Sequence, residues 1–137
     1  MKKLNPKNKM VKEHLGKNLK MSDEVYKLRK EVMSYVYEAK NLLRKHGINM
    51  PRVNVRITDN SGESKRALAM GAGYCIWISL KSVNTWNAHL RDVVFHELLH
   101  ALKGTQHDEE CPLMRSCVNI KPLTQKECQK HFLKYWL

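Results

Sequence analysis

Apolar residues recur every three or four positions in the segment that follows the first twenty residues. They are Val25, Leu28, Val32, Tyr35, Val36, Ala39, Leu42 and Leu43, and this spacing is typical of one face of a helix. Ser22 suits an N-cap, because its side-chain oxygen can accept an unpaired backbone N–H of the first turn. Gly47 suits the position after the C-cap. The pattern therefore predicts one long helix from about residue 23 to residue 46.

The middle of the chain changes to shorter, strand-like patterns. Residues 53–57 alternate between apolar and polar side chains, which predicts a half-buried strand. Ala67–Met70 predicts a second short strand, and Gly71–Gly73 indicates a break after it. Tyr74–Leu80 is rich in β-branched and aromatic residues and predicts a third strand.

Helical spacing returns between Leu90 and Leu102, and Gly104 can end that helix. Thr124 and Glu127 form the pattern of a capping box, in which two side chains satisfy backbone donors reciprocally. They predict a short last helix that ends near Tyr135. The order of elements favours an α+β fold, with a small mixed or mostly antiparallel sheet of two to four strands.

Charge divides the chain into two parts. The formal net charge is +12 over 137 residues. Seven lysines between Lys2 and Lys20 face only Glu13, so residues 1–21 are interpreted as a basic flexible arm and 22–137 as a single domain. Such an arm can bind nucleic acid or an acidic partner, or remain a solvated tail.

The same composition constrains the location of the protein. No apolar run is long enough to span a bilayer, and the basic N-terminus has no apolar core typical of a secretion signal. A cytoplasmic setting is therefore expected, in the host cell if the chain is phage-encoded. In a reducing compartment Cys75, Cys111, Cys117 and Cys128 are expected to be thiols or metal ligands rather than disulfides. Cys111 and Cys117 together could hold a second, structural zinc ion.

The segment His96-Glu97-Leu98-Leu99-His100 carries the clearest chemistry. Residues four apart lie one turn above each other on a helix, so His96 and His100 can direct their imidazoles at one metal ion. Glu97 lies about 100° further round the helix, where it can reach a metal-bound water. A tetrahedral zinc site would need one more protein ligand. Gly104 lets the chain turn back after the helix, so the following segment can supply it.

The segment from His96 to Met114 resembles the zincin metallopeptidases, and within them the metzincins with their HExxHxxGxxH motif and methionine turn. The order of elements is also similar to the small SprT-like and phage-type metallopeptidases. This sequence instead reads HExxHxxxGxxH, with Gly104 and His107 each one place late and Gln106 at the usual third-histidine position. Met114 keeps the spacing of the methionine turn, although a core methionine in a loop would explain it equally well.

His107 is the expected third ligand, because imidazole is a better zinc ligand than the carboxamide of Gln106. Asp108 and Cys111 are chemically competent alternatives. Glu127 would be the third ligand in a gluzincin-type site, but its place in the capping box explains it without a metal.

The resemblance implies an endopeptidase that uses one zinc ion, held by His96, His100 and His107. Glu97 would act as general base toward a zinc-activated water. A peptide or protein substrate is expected to lie extended along a sheet edge, beside about Ala67–Met70 or Tyr74–Leu80.

Two other classes of function remain open at this point. Three-histidine rRNA-maturation endoribonucleases share the first histidine spacing, and the basic charge would suit RNA. Their motif has glycine after the first histidine, however, so Glu97 favours peptide hydrolysis. The other alternative is a non-enzymatic protein that binds nucleic acid or capsid through the arm and keeps a relict zinc site.

Overall fold

The computed structural model describes residues 19–58, 69–80, 90–116 and 121–137. These ranges contain three helices and three strands, in an α+β arrangement that confirms the predicted fold class. In chain order they are α1 (Asp23–Lys45), β1 (Asn54–Thr58), β2 (Ala69–Ala72), β3 (Cys75–Ser79), α2 (Leu90–Lys103) and α3 (Gln125–Lys134).

Both ends of α1 are closed by the residues that the sequence indicated. The Ser22 hydroxyl accepts the N–H of Val25 at 3.2 Å, which satisfies a donor of the first turn. Gly47 has a φ of +74°, which lets the chain reverse so that the N–H of Ile48 donates to the Leu43 carbonyl at 2.9 Å. The predicted helix from about residue 23 to 46 is confirmed.

The three strands form one mixed sheet in the order β1-β3-β2. Strand β1 is parallel to β3, and β2 is antiparallel to β3. Because β3 is the central strand, both of its edges are already paired. The expectation that a substrate could pair with Tyr74–Leu80 is therefore wrong for β3.

The connection between β2 and β3 is tighter than the sequence indicated. Gly71 and Ala72 pair with Ile76 and Cys75, so the predicted break at Gly71–Gly73 is wrong for its first two residues. The turn consists of Gly73 and Tyr74, whose φ values are +56° and +62°. A two-residue hairpin turn of this kind requires positive φ at both central residues, which matches the twist of the flanking strands. This requirement determines that β2 ends at Ala72 and β3 begins at Cys75.

Helix α2 lies in the centre of the molecule and packs against α1, β2, β3 and α3. Most of its surface is buried, with Val94, Phe95, Leu98 and Leu99 fully enclosed. The ring of Phe95 lies 4.9 Å from the ring of Phe132 on α3. A helix held on several sides in this way keeps its backbone fixed, so side chains on its remaining open face have a defined position.

Polar contacts at the start of α2 align the three helices. Arg91 forms a salt bridge with Glu38 of α1 at 3.1 Å, and Gln125 of α3 donates to the same carboxylate at 3.1 Å. The carboxylate of Asp92 accepts the N–H of Leu123 at 2.9 Å. The capping box is also confirmed, because Thr124 and Glu127 bond each other's backbone at the start of α3.

Some expectations fall outside the described residues, including most of the basic arm, residues 1–18, and Cys117. The N–H of Leu19, where the described chain begins, donates to the Ile57 carbonyl of β1 at 2.8 Å. Cys75, Cys111 and Cys128 are buried free thiols, as predicted. Among the described helices, none is both long and apolar enough to cross a membrane.

Candidate metal centre

Three histidines from two consecutive segments meet at the open face of α2. His96 and His100 lie one helical turn apart on α2, and His107 follows the end of the helix. Gly104 has a φ of +61°, which ends the helix and turns the chain back. The predicted helix end at Gly104 is confirmed, and it determines where His107 can lie.

The three imidazoles are close enough to hold one metal ion. One ring nitrogen from each of His96, His100 and His107 lies within 4.8 Å of the other two. The ring centroids are 4.7 Å apart for His96 and His100, 5.2 Å for His96 and His107, and 4.9 Å for His100 and His107. The two more enclosed ligands come from α2, and His107 lies on the exposed side.

Backbone carbonyls fix the ring orientation of the two helical histidines. Nδ1 of His96 lies 2.7 Å from the Leu113 carbonyl, and Nδ1 of His100 lies 2.5 Å from the Thr105 carbonyl. A carbonyl only accepts hydrogen bonds, so both Nδ1 atoms carry a proton and donate. In neutral rings Nε2 is then the unprotonated nitrogen with a free lone pair, which is the arrangement typical of metal-bound histidines.

The two free nitrogens face each other. Nε2 of His96 and Nε2 of His100 are 3.0 Å apart. Two lone pairs at that distance repel unless a cation lies against both. Two nitrogens bound tetrahedrally to zinc are about 3.3 Å apart, given Zn–N distances of about 2.0–2.1 Å. The observed separation therefore fits a pair of ligands to a small metal ion.

Burial favours the neutral form of these imidazoles. It lowers the pKa of His96 to about 4, although the Leu113 carbonyl opposes part of the shift. It also lowers the pKa of His100, and the neighbouring His107 contributes in the same direction. Low-dielectric surroundings disfavour a charged imidazole, so both rings offer lone pairs across the neutral pH range.

A compact loop supplies the Leu113 carbonyl. The N–H of Asp108 donates to the Met114 carbonyl at 2.9 Å, and the N–H of Met114 donates to the Cys111 carbonyl at 3.1 Å. The Met114 side chain is completely buried. Met114 is thus a core residue that anchors the loop, and it directly follows Leu113, whose carbonyl orients the His96 ring.

The alternative third ligands are engaged elsewhere. The Asp108 carboxylate accepts the N–H of Glu110 at 3.0 Å and the Tyr135 hydroxyl at 3.3 Å. Cys111 is 1% exposed within the core, and Glu127 completes the capping box at the start of α3. Within the described ranges, the histidine cluster contains none of these three residues.

Glu97 is a buried acidic side chain on the helix that carries two of the three histidines. It follows His96 on α2 and is only 7% exposed. Burial raises the pKa of its carboxyl group to about 8, because the charged form loses its hydration. A carboxyl group that exchanges its proton near neutral pH suits general acid–base chemistry.

Sequence reasoning placed all three histidines but not the groups that orient them. The carbonyls of Thr105 and Leu113 are backbone atoms, which every residue has, so no residue type marks them. Tyr135 also went unnoticed, although it holds Asp108 beside His107. A tyrosine near the end of a predicted amphipathic helix is a weak signal, since core packing accounts for it equally well.

Comparison of this chain with protein-family models, with curated protein sequences and with solved structures found no match. What the cluster can do chemically is therefore inferred from its own residues.

Proposed function

We propose that this protein is a zinc-dependent metallopeptidase that hydrolyses internal peptide bonds. The observation that carries the proposal is the cluster of His96, His100 and His107. Backbone carbonyls orient the imidazoles of His96 and His100. These two histidines lie on the same helix as the buried Glu97. Three protein nitrogens leave one position of a tetrahedral zinc open, as in catalytic rather than structural zinc sites.

His96, His100 and His107 would hold the ion. Neutral imidazoles suit zinc, and no thiolate among the described residues joins the cluster. When bound, zinc supplies a Lewis acid that polarises the scissile carbonyl and lowers the pKa of a coordinated water.

Glu97 is the proposed general base. Its carboxylate takes a proton from the attacking water and then delivers that proton to the departing amine. In the metal-free protein burial raises the pKa of Glu97 to about 8, so the neutral acid is the main form at pH 7 and the proton needed by the departing amine can be held there. A neighbouring cation favours the carboxylate form, so Glu97 would be ready to accept a proton once the ion is in place.

Strand β2 is the proposed docking edge for an extended peptide. It packs against α2, and in the described part of the chain it pairs on one side only, with β3. The other edge of β2 can therefore donate and accept main-chain hydrogen bonds, as sheet edges do in β-augmentation. The sequence suggested Ala67–Met70 and Tyr74–Leu80 as edges for a substrate. The position of β2 at an edge of the sheet supports the first of these segments.

The central test is Glu97→Gln in the zinc-loaded protein. The carboxamide keeps the size of the side chain but is a far poorer base, so we expect casein cleavage to fall by at least about a hundredfold. Zinc content should remain at the parent level, because Glu97 is not a ligand. Glu31→Gln, at an exposed position on α1, is the matched control and should cleave like the parent.

A parallel assay with RNA separates this function from a metal-dependent nuclease. Zinc-loaded protein should degrade casein and leave RNA intact. Casein cleavage by Glu97→Gln at the parental rate, or RNA hydrolysis that depends on Glu97, would contradict the proposed peptidase.

A further inference from the structure

A groove lies between α1 and the chain that leads into β1. It has a volume of about 540 Å³. The residues that line it include Met33 and Met50 together with Arg29, Tyr37, Lys40 and Arg52. None of the described residues that line it is acidic. The groove is thus positively charged and includes some apolar side chains in its lining.

The arrangement extends along α1 beyond the groove itself. At 100° per residue, an arc of about 80° on this helix contains only six residues. Three are basic and three are aromatic or apolar, in the order Tyr26, Arg29, Met33, Tyr37, Lys40 and Arg44. The four carboxylate residues of α1, Asp23, Glu24, Glu31 and Glu38, all lie outside this arc. We call these six residues the basic stripe.

The aromatic members of the stripe are open to solvent. Tyr26 is 58% exposed and Tyr37 is 55% exposed. They lie eleven residues apart, which is just over three turns, so they face nearly the same way about 16 Å from each other. Exposed aromatic rings between cationic side chains provide stacking faces for bases and charges for phosphates.

We infer that the groove and the basic stripe bind single-stranded nucleic acid. Arg29, Lys40 and Arg52 would contact the phosphodiester backbone, and Tyr37 would stack on a base. An acidic peptide would satisfy the three cations but would leave the tyrosine faces without a partner, and for this reason nucleic acid is the favoured occupant.

The groove is separate from the metal centre. The residues that line it come from α1, from the chain before β1 and from β1, whereas the three histidines lie on α2 and in the loop after it. Leu19 also attaches beside β1 through its hydrogen bond to Ile57, and the sequence before it contains six lysines and one glutamate. Nucleic-acid binding at this edge is thus independent of peptide hydrolysis, and each can be tested without the other.

The experiment measures fluorescence anisotropy of labelled oligothymidylate and oligouridylate, each about 20 nucleotides long, with the full-length protein. The triple variant Arg29→Gln/Lys40→Gln/Arg52→Gln should weaken binding by at least about tenfold. It should also reduce the slope of log affinity against log salt by about 2, since each phosphate contact contributes about 0.7 for single strands. Equal binding of both oligomers would show that the site accepts DNA and RNA alike, and a preference would identify one of them as the ligand; both results support the proposal.

Two matched variants make the test specific. Lys126→Gln/Lys130→Gln/Lys134→Gln removes the same charge from exposed positions on α3 and should weaken binding by less than about threefold, because none of these lysines lines the groove and salt screens charges that do not contact the ligand. Tyr37→Ala should cost about tenfold through lost stacking. Circular dichroism of each variant checks that the fold is retained.

The proposal is overturned by any of four results. These are no binding by the parent protein, equal losses from the two triple variants, unchanged affinity of Tyr37→Ala, and competition by polyglutamate as strong as competition by unlabelled oligothymidylate. The last result would identify an acidic protein surface as the partner.

Discussion

At the scale of single residues, the candidate metal centre depends on two imidazoles whose tautomers are already fixed by hydrogen bonds. The carbonyls of Leu113 and Thr105 hold the Nδ1 protons of His96 and His100, so the two Nε2 atoms need no rearrangement before they bind an ion. His107 is different, because it lies on the exposed side of the cluster. Its position depends on the loop that follows α2.

The third ligand can be tested with His107→Ala. Removing one of three imidazoles should lower zinc affinity by at least about a hundredfold, since second-shell changes alone cost about 10- to 100-fold. X-ray absorption of the loaded variant should detect one nitrogen ligand fewer than in the parent. His46→Ala, at an exposed position after α1, should match the parent in both measurements. An unchanged nitrogen count in His107→Ala would instead direct attention to Asp108.

At the scale of elements, the two helix ends at Gly47 and Gly104 use the same backbone conformation for different purposes. Both glycines have positive φ, and an added Cβ would meet nothing within 4 Å at either position. Gly47 ends α1 ahead of the chain leading to β1. Gly104 ends α2 immediately before Thr105, whose carbonyl orients His100.

Comparison of Gly104→Ala with Gly47→Ala separates an effect on stability from an effect on zinc affinity. Each substitution should lower the free energy of unfolding by about 1 kcal/mol, because a side chain disfavours positive φ. Only Gly104→Ala should also weaken zinc binding, by about tenfold, through the displaced Thr105 carbonyl. Urea denaturation measures the first effect and competition with a chromogenic chelator the second. Equal zinc affinities in the two variants would mean that the helix end does not position His100.

At the scale of the whole molecule, the core and the candidate metal centre meet in the loop that follows α2. The core is one cluster of buried residues drawn from α1, the sheet, α2, α3 and this loop, which contributes Cys111, Leu113 and Met114. The loop from residue 105 to 114 also forms hydrogen bonds to two histidines of the cluster and to Tyr135. We therefore expect the ion to stabilise this loop more than the rest of the fold.

Zinc removal should consequently loosen the protein locally. At a free zinc concentration about a hundred times the dissociation constant, binding contributes about 2.7 kcal/mol, so chelation should lower the melting temperature by about 10 °C. Amide hydrogen exchange should accelerate mainly in residues 105–114, while α1 keeps its protection. Complete loss of the native circular dichroism spectrum on chelation would show instead that the ion holds the whole fold together.

The sequence predicted helices best where local chemistry defines their ends. At the start of a helix, the side chains of Ser22 and Thr124 accept backbone N–H groups of the first turn. At the end of a helix, Gly47 and Gly104 adopt positive φ because they have no side chain. These effects act between neighbours in the chain, so the local sequence was enough to predict the helix ends. The strands were predicted less well. Gly71 was interpreted as a break, but it lies within β2 and pairs with Ile76 of β3, because pairing in the hairpin outweighs the weak strand preference of glycine.

The sequence by itself determined that His96, Glu97 and His100 share one helix and which element types precede and follow them, because helical periodicity and capping act over a few residues. Only the tertiary structure decided that β3 lies in the centre and β2 at an edge, that His107 rather than Asp108 joins the cluster, and that two carbonyls orient the ligands. These features depend on contacts between different elements and loops, from the hydrogen bond of His100 to Thr105 to the pairing of β1 with β3. The reason is physical: strand pairing and loop closure are selected by the packing of the whole core, and no local pattern records that choice.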